Sequence, residues 1–177
     1  MGFEFRTCKF EMDFEAYIRF LIQQQAFLNL PYPFAMKLAF MGSPLQFGQA
    51  MLIFNDETYD IVGAAGFVYG TGANDYEDRE ICQVEIAFIL EQYRRTPLFL
   101  RGLEALLSLI KAGNPDVKQL QFWSSSDNKE IQPIVSRWSS LPGFQSSVVN
   151  NLTFYKFSFD ELEAYCRRIG TTGVRSG

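Results

Sequence analysis

The sequence predicts an α/β (α+β) domain built on a mixed, mostly antiparallel sheet of about seven strands flanked by helices. Three observations carry that expectation. Short stretches of strand composition alternate with apolar residues at helical spacing. A strand–helix–strand run over residues 81–123 favours a parallel pair joined by a right-handed crossover, while turn-rich links at residues 56–60 and 150–151 favour antiparallel hairpins.

The elements follow in order. Phe3–Phe10 has strand composition, and Asp13 offers an N-cap to a helix carrying Phe14, Tyr17, Ile18, Leu21 and Ile22 on one face. Pro31 and Pro33 interrupt it, and a short apolar helix over Phe34–Met41 stops at Gly42-Ser43-Pro44. Gln49–Asn55 and Ile61–Tyr69 read as strands paired antiparallel across the turn Asp56–Asp60. After the loop Gly70–Glu80, Ile81–Leu90 is apolar except at Gln83 and Glu85, the pattern of a central strand covered on both faces. Thr96 caps the next helix with Pro97 at its first position, and Phe99, Leu103, Leu106, Leu107 and Ile110 form its apolar face as far as Gly113-Asn114-Pro115.

Val117–Trp123 is the next strand. A helix over Asn128–Leu141, bearing Ile131, Ile134, Val135 and Trp138, ends before Pro142-Gly143. Phe144–Val149 and Leu152–Phe159 make a closing hairpin around Asn150-Asn151, and Asp160 caps a last short helix through Leu162, Tyr165 and Ile169. Residues 1–169 are thus expected to form one domain, and residues 170–177 a flexible tail.

Composition narrows the chemistry. The 177 residues are 47 % hydrophobic and 16 % aromatic, enough for a substantial core. A formal charge of −4 argues against a nucleic-acid partner. No apolar run approaches the roughly 20 residues that span a bilayer, and the N-terminus lacks a secretory apolar region, so a cytoplasmic protein without a membrane partner is expected. Histidine is absent, which excludes Ser-His-Asp and Cys-His catalysis and any imidazole metal site. Cys8, Cys82 and Cys166 have no metal-ligand spacing and read as buried apolar residues. No metal is expected.

The segment Val84-Glu85-Ile86-Ala87-Phe88, followed by Tyr93-Arg94-Arg95, resembles the GNAT superfamily of acyl-CoA-dependent N-acyltransferases. Asp60-Ile61-Val62-Gly63 is similar to that family's third-strand entry, and the run from Asn128 to Gly143-Phe144 to its later Asn…Gly-Phe segment. The resemblance implies that strands 81–90 and 117–123 splay apart to admit the pantetheine arm, with the pyrophosphate resting on the following helix N-terminus. It implies acetyl-CoA, or another short acyl-CoA, as acyl donor. Acetyl-CoA would then lie against Phe88, Ile89, Leu90, Arg94, Arg95, Thr96, Leu98, Phe99 and Asn128. A helix N-terminus suits an anion in any case, since its amides are unpaired and its dipole end is positive, and two arginines add charge-assisted bonds.

Glu85 is the expected general base, as the resemblance implies for a fourth-strand glutamate. Strand alternation places it with Gln83 and Ala87, opposite Val84, Ile86 and Phe88, and partial burial would raise its pKa. The amine would attack the thioester directly, with strand amides near Phe88 facing the oxyanion. The family often protonates the leaving thiolate with a tyrosine; the nearest match here is Trp138, whose indole cannot do so, and Tyr155 is another candidate. The acceptor is a small-molecule or peptide amine.

Three positions depart from the family's pattern. Arg95, Pro97 and Phe99 stand where glycine is common, so the alternative is a degenerate GNAT domain serving as a binding or interaction module. The acidic group Asp75, Glu77, Asp78 and Glu80 reads as solvated surface, Gly63, Gly66, Gly70 and Gly72 as close-packing positions, and Phe27, Tyr32, Phe34 and Phe40 as core more than ligand cage. The closing strands Phe144–Phe159 and the last helix offer a surface for a homodimer.

Overall fold

A computed structural model describes residues 2–174. The chain runs β1 (Phe3–Thr7), α1 (Glu11–Gln23), α2 (Phe34–Phe47), β2 (Gly48–Asn55), β3 (Ile61–Tyr69), β4 (Ile81–Ile89), α3 (Leu98–Gly113), β5 (Gln119–Ser125), α4 (Gln132–Trp138), β6 (Gln145–Val149), β7 (Leu152–Ser158) and α5 (Phe159–Val174). One seven-stranded sheet takes the order β1-β2-β3-β4-β5-β7-β6. Every neighbouring pair is antiparallel except β4 and β5.

The sheet buries both faces. Met51, Phe67, Tyr69, Leu120, Tyr155 and Phe157 face α3 and α5, where they meet Leu106, Leu107, Ile110 and Leu162. Ala50, Leu52, Ala64, Ile86 and Phe88 face α1 and α2, where Tyr17, Phe20, Leu21 and Met41 close over them. β4 is the fourth strand of seven and feeds both cores, as its near-continuous apolar run requires. The three cysteines are buried and free.

Several boundaries differ from the sequence expectation for identifiable reasons. Helix α1 begins at Glu11 with Phe10 at its N-cap, and Asp13 sits inside the first turn, where its carboxylate accepts the Lys9 and Phe10 amides. Those bonds hold the Asp13 pKa below the ordinary carboxylate value.

Helix α2 does not stop at Gly42-Ser43-Pro44 but continues to Phe47. Pro44 cannot donate to the Phe40 carbonyl, and the Ser43 hydroxyl donates to it instead at 3.4 Å. Helix α4 is shorter than expected, because residues 128–131 are taken up by turns in which Asn128 Oδ1 accepts the Glu130 amide. Helix α5 carries on to Val174, so the tail expected from Gly170 begins as helix; residues 175–177 lie outside the described residues. No described helix is long and apolar enough to cross a membrane.

Candidate active site

Strands β4 and β5 pair only from Ile81↔Gln119 to Gln83↔Gln121. Beyond that point β4 continues beside β3 and β5 continues beside β7, so the two parallel strands part and leave a gap. Backbone groups on the facing edges have no ladder partner there, which suits an extended ligand able to bond to them. Leu90 donates its amide to the Val62 carbonyl of β3. By alternation Phe88 also turns its amide toward β3, and the neighbouring Ala87 and Ile89 turn theirs to the gap. The strand donors expected near Phe88 are therefore those of Ala87 and Ile89.

Gly66 of β3 lies opposite Ile86 and Phe67 opposite Val84, so Glu85 is the extra residue of a β-bulge. The bulge resets the alternation. Val84 packs on the α3/α5 side, whereas Ile86 and Phe88 pack on the α1/α2 side. Glu85 faces α1 and α2 too: Ser43 of α2 reaches its carboxylate, and its charge is felt at the Tyr17 and Tyr32 hydroxyls. The expectation that Glu85 stands opposite Ile86 and Phe88 is corrected by the bulge, which no periodicity rule anticipates. Burial raises the Glu85 pKa above the usual value, and the Gln83 amide, with Ser43 nearby, opposes that rise. A carboxylate shifted in this direction is a stronger base than an exposed one.

A line of amides leads to Glu85 from the apex of the gap. Gln119 Nε2 donates to Gln121 at 2.9 Å, Gln121 Nε2 donates to Gln83 at 2.8 Å, and Gln83 Nε2 reaches Glu85 Oε2 at 3.4 Å. Each donor points toward the carboxylate, so the chain favours its ionised form. Above Glu85 lies Tyr17, fully buried, its hydroxyl without a hydrogen-bond partner. That hydroxyl occupies the space over Gly66, where a Cβ would come within 2.2 Å of it. Burial first, then the charges of Cys8 and Glu85, push the Tyr17 pKa up. Tyr32 is raised by burial and by Glu85.

Trp138, at the family's tyrosine position, and Tyr155, the candidate general acid, fall elsewhere. Trp138 is 5 % exposed, its ring edge-on to Phe157 at 5.2 Å and 6.3 Å from Phe99. Tyr155 is buried on the α3/α5 side, opposite Glu85, in contact with Phe122 and Phe144.

At the mouth of the gap the chain contacts itself. Arg94 Nε donates to the Ile89 carbonyl at 2.9 Å, and Arg94 Nη1 bonds both carboxylate oxygens of Glu130 at 3.0 and 2.9 Å. Arg95 is exposed and its φ is +62°, the left-handed conformation glycine commonly adopts. Pro97 stands at the N-cap, one residue before the helix, and the Thr96 hydroxyl accepts the Leu98 amide. The Phe99 and Arg101 amides go to the Thr96 and Pro97 carbonyls. Leu98 itself is 2 % exposed, and Asn128 donates to Ser124 Oγ at 3.2 Å. Of the expected donor-binding residues, Ile89, Leu90, Arg94 and Asn128 thus gather around the gap's mouth, while the first turn of α3 is largely satisfied from within.

Two surface cavities lie apart from the gap. One, about 650 Å³, runs along the outer face of α1, and the other, about 340 Å³, lies between Phe47, Tyr76 and Arg79. Neither is lined by Glu85 or Arg94. No group of three or more possible metal-ligating residues occurs among the described residues. Nothing in the sequence signals Ser43 beside Glu85, since Ser43 belongs to an apparent helix stop, nor Glu130, which meets Arg94 across 36 positions.

Known structures decide what this architecture is. A GNAT-family acetyltransferase from Staphylococcus aureus Mu50 superposes with a TM-score of 0.61 over 89 % of this chain and 99 % of its own, at 16 % identity. An acetyltransferase from Streptococcus agalactiae 2603 does so at 0.62 over 89 % and 98 %, at 14 % identity. The chain has the GNAT fold. The Salmonella typhimurium protein yncA, whose structure holds its cofactor acetyl-CoA, matches at 0.59 over 91 % of this chain and 96 % of its own, at 13 % identity. No family model matches the sequence, and no curated protein matches it significantly. The GNAT likeness is one of shape, held at identities that leave the side chains largely this chain's own.

Proposed function

We propose that this GNAT-fold chain is an N-acyltransferase that moves an acetyl or other short acyl group from an acyl-CoA thioester to an amine. The observation that carries the proposal is the coincidence of the β4/β5 gap with Glu85, set at its apex by a bulge and raised in pKa by burial. The acetyl-CoA held by yncA supports the choice of donor. The gap fits a pantetheine arm, because its edges offer unpaired backbone groups along an extended path. The phosphate end fits less well, since Glu130 already occupies Arg94 and the amides of Leu98, Phe99 and Arg101 have internal partners.

The thioester would supply the activated carbonyl. Glu85 would take the proton of the acceptor ammonium on the α1/α2 side, and the gap-facing amides of Ala87 and Ile89 would lie toward the developing oxyanion. The nitrogen–carbon bond would form as the carbon–sulfur bond breaks and coenzyme A would leave as its thiolate, since neither Trp138 nor Tyr155 takes part. Tyr32, whose hydroxyl feels the Glu85 charge, packs its ring 5.2 Å from that of Phe40, with exposed Phe34 and Met36 on α2 nearby in sequence. A small-molecule or peptide amine with an apolar portion suits such walls.

Calorimetry with acetyl-CoA tests the proposal. Saturable binding that weakens in Arg94→Ala, with turnover of an amine lost in Glu85→Gln, is the expected result. No heat at millimolar acetyl-CoA in any variant would refute it. A second reading, a GNAT-fold binding module without efficient catalysis, is favoured by the internally satisfied first turn of α3 and by Phe99 lodged against Trp138. That reading expects wild-type binding to be absent and Glu85→Gln to have no functional effect.

A further inference from the structure

Among the features that the proposed chemistry does not use, the contact between Arg94 and Glu130 is the most informative. Ile89 ends β4, and Glu130 lies between β5 and α4. These are the two sides of the gap. One guanidinium bonds to both, through Nε to the Ile89 carbonyl and through Nη1 to the two oxygens of Glu130, while lying 5.3 Å from the Phe88 ring centroid.

We propose that Glu130 is an internal stand-in for the donor's phosphate, and that its competition for Arg94 sets how tightly the chain takes a phosphate-bearing acyl donor. The inference rests on the acyl-CoA reading above. A carboxylate presents two anionic oxygens to a guanidinium much as a phosphate does. The Asn128 turn fixes the backbone that offers it, with the Glu130 amide bonded to Asn128 Oδ1 at 3.2 Å. The pair is only partly shielded, the Arg94 side chain being 25 % exposed and that of Glu130 51 %. Ion pairs at that exposure are weak, so a phosphate with more charge and more acceptors displaces the carboxylate at small cost. After displacement, the Nε bond to Ile89 keeps the guanidinium aimed at the mouth. Glu130 then leaves a negative charge beside the incoming phosphate, which opposes binding a second time.

The test titrates the full chain, as wild type, Glu130→Gln and the Arg94→Ala/Glu130→Gln double variant, with coenzyme A and with pantetheine, which lacks the nucleotide and every phosphate. At low ionic strength Glu130→Gln is expected to bind coenzyme A about five- to tenfold more tightly than wild type. Pantetheine affinity should not change, and the double variant should lose the gain. Glu130 is exposed, so its replacement leaves the fold intact. Wild-type binding of coenzyme A with no gain in Glu130→Gln would overturn this inference and leave the acyltransferase reading standing. An equal gain for pantetheine would overturn it as well, since the effect would not depend on phosphate. Failure of both wild type and Glu130→Gln to bind at millimolar coenzyme A would overturn both.

Discussion

Replacing Arg95 by glycine should stabilise this protein. At φ of +62° the Arg95 Cβ crowds its own backbone, a cost of about 1–2 kcal/mol that glycine does not bear. Glycine loses more freedom on folding, which returns about 0.5–1 kcal/mol to the unfolded state. The side chain is exposed, so its removal forfeits little packing. The net gain is therefore about 0.5–1 kcal/mol, or a rise of roughly 1–4 °C in Tm for a chain of this size. Urea unfolding followed by tryptophan fluorescence should show a midpoint higher by about 0.3 M with an unchanged slope. A lower midpoint would refute the reasoning, because it would mean that the Arg95 side chain repays its backbone strain through contacts. The same variant restores glycine where the GNAT pattern favours it.

Glu85→Gln should raise stability at neutral pH. The folded-state pKa is above the ordinary 4.5, so the folded chain binds the proton more tightly, and wild-type stability falls as pH rises from that value through the raised one. Denaturant melts of both proteins at about pH 4 and about pH 8 should show the variant's advantage only at the higher pH; an equal advantage at both would contradict a burial-raised carboxylate. Tyr17→Phe removes a buried hydroxyl that has no partner, and should be neutral or stabilising by up to about 1–2 kcal/mol. A loss above about 1 kcal/mol in Tyr17→Phe would show that the hydroxyl is satisfied after all. Trp138→Ala empties the space between Phe99 and Phe157 and should cost about 3–5 kcal/mol by thermal or urea unfolding. A cost under about 1 kcal/mol would mean that α4 is not part of the core.

The order of strands and helices was legible because each buries one face, and burial writes its period into the sequence. The closing hairpin was legible too: Val149 pairs with Leu152, and Asn150 takes a φ of +58° that asparagine tolerates. What escaped were contacts that break a period or join distant residues. The bulge at Glu85 adds one residue without changing composition, so alternation placed Ile86 and Phe88 on the wrong side of it. Pro44 signals a helix end by its missing N–H, yet α2 continues past it, with the Ser43 hydroxyl donating to the Phe40 carbonyl. Glu130 looks like any exposed acid until the fold carries it to Arg94. Positions 95, 97 and 99 announced a lost glycine cradle, yet the backbone keeps the left-handed step at Arg95 and closes the amides through Thr96.

Those features bear on the choice between enzyme and binding module. In the acyltransferase reading, donor affinity and proton transfer fall at separate places: Arg94 and Glu130 at the mouth of the gap, Glu85 at its apex on the α1/α2 side. A binding module that takes no acyl donor needs neither. It gains nothing from a carboxylate whose ionised form is disfavoured by burial, next to a tyrosine hydroxyl with no partner. Both cost stability, and a glutamine or a phenylalanine would relieve them in place. Local costs of this kind favour the acyltransferase reading. On that reading, the weakness of the phosphate end, held by an exposed ion pair, is a donor site restrained by Glu130 rather than lost. Glu85→Gln therefore separates the two readings: an enzyme loses turnover of an amine in that variant while a binding module loses nothing, and Glu130→Gln tests the restraint at the mouth independently.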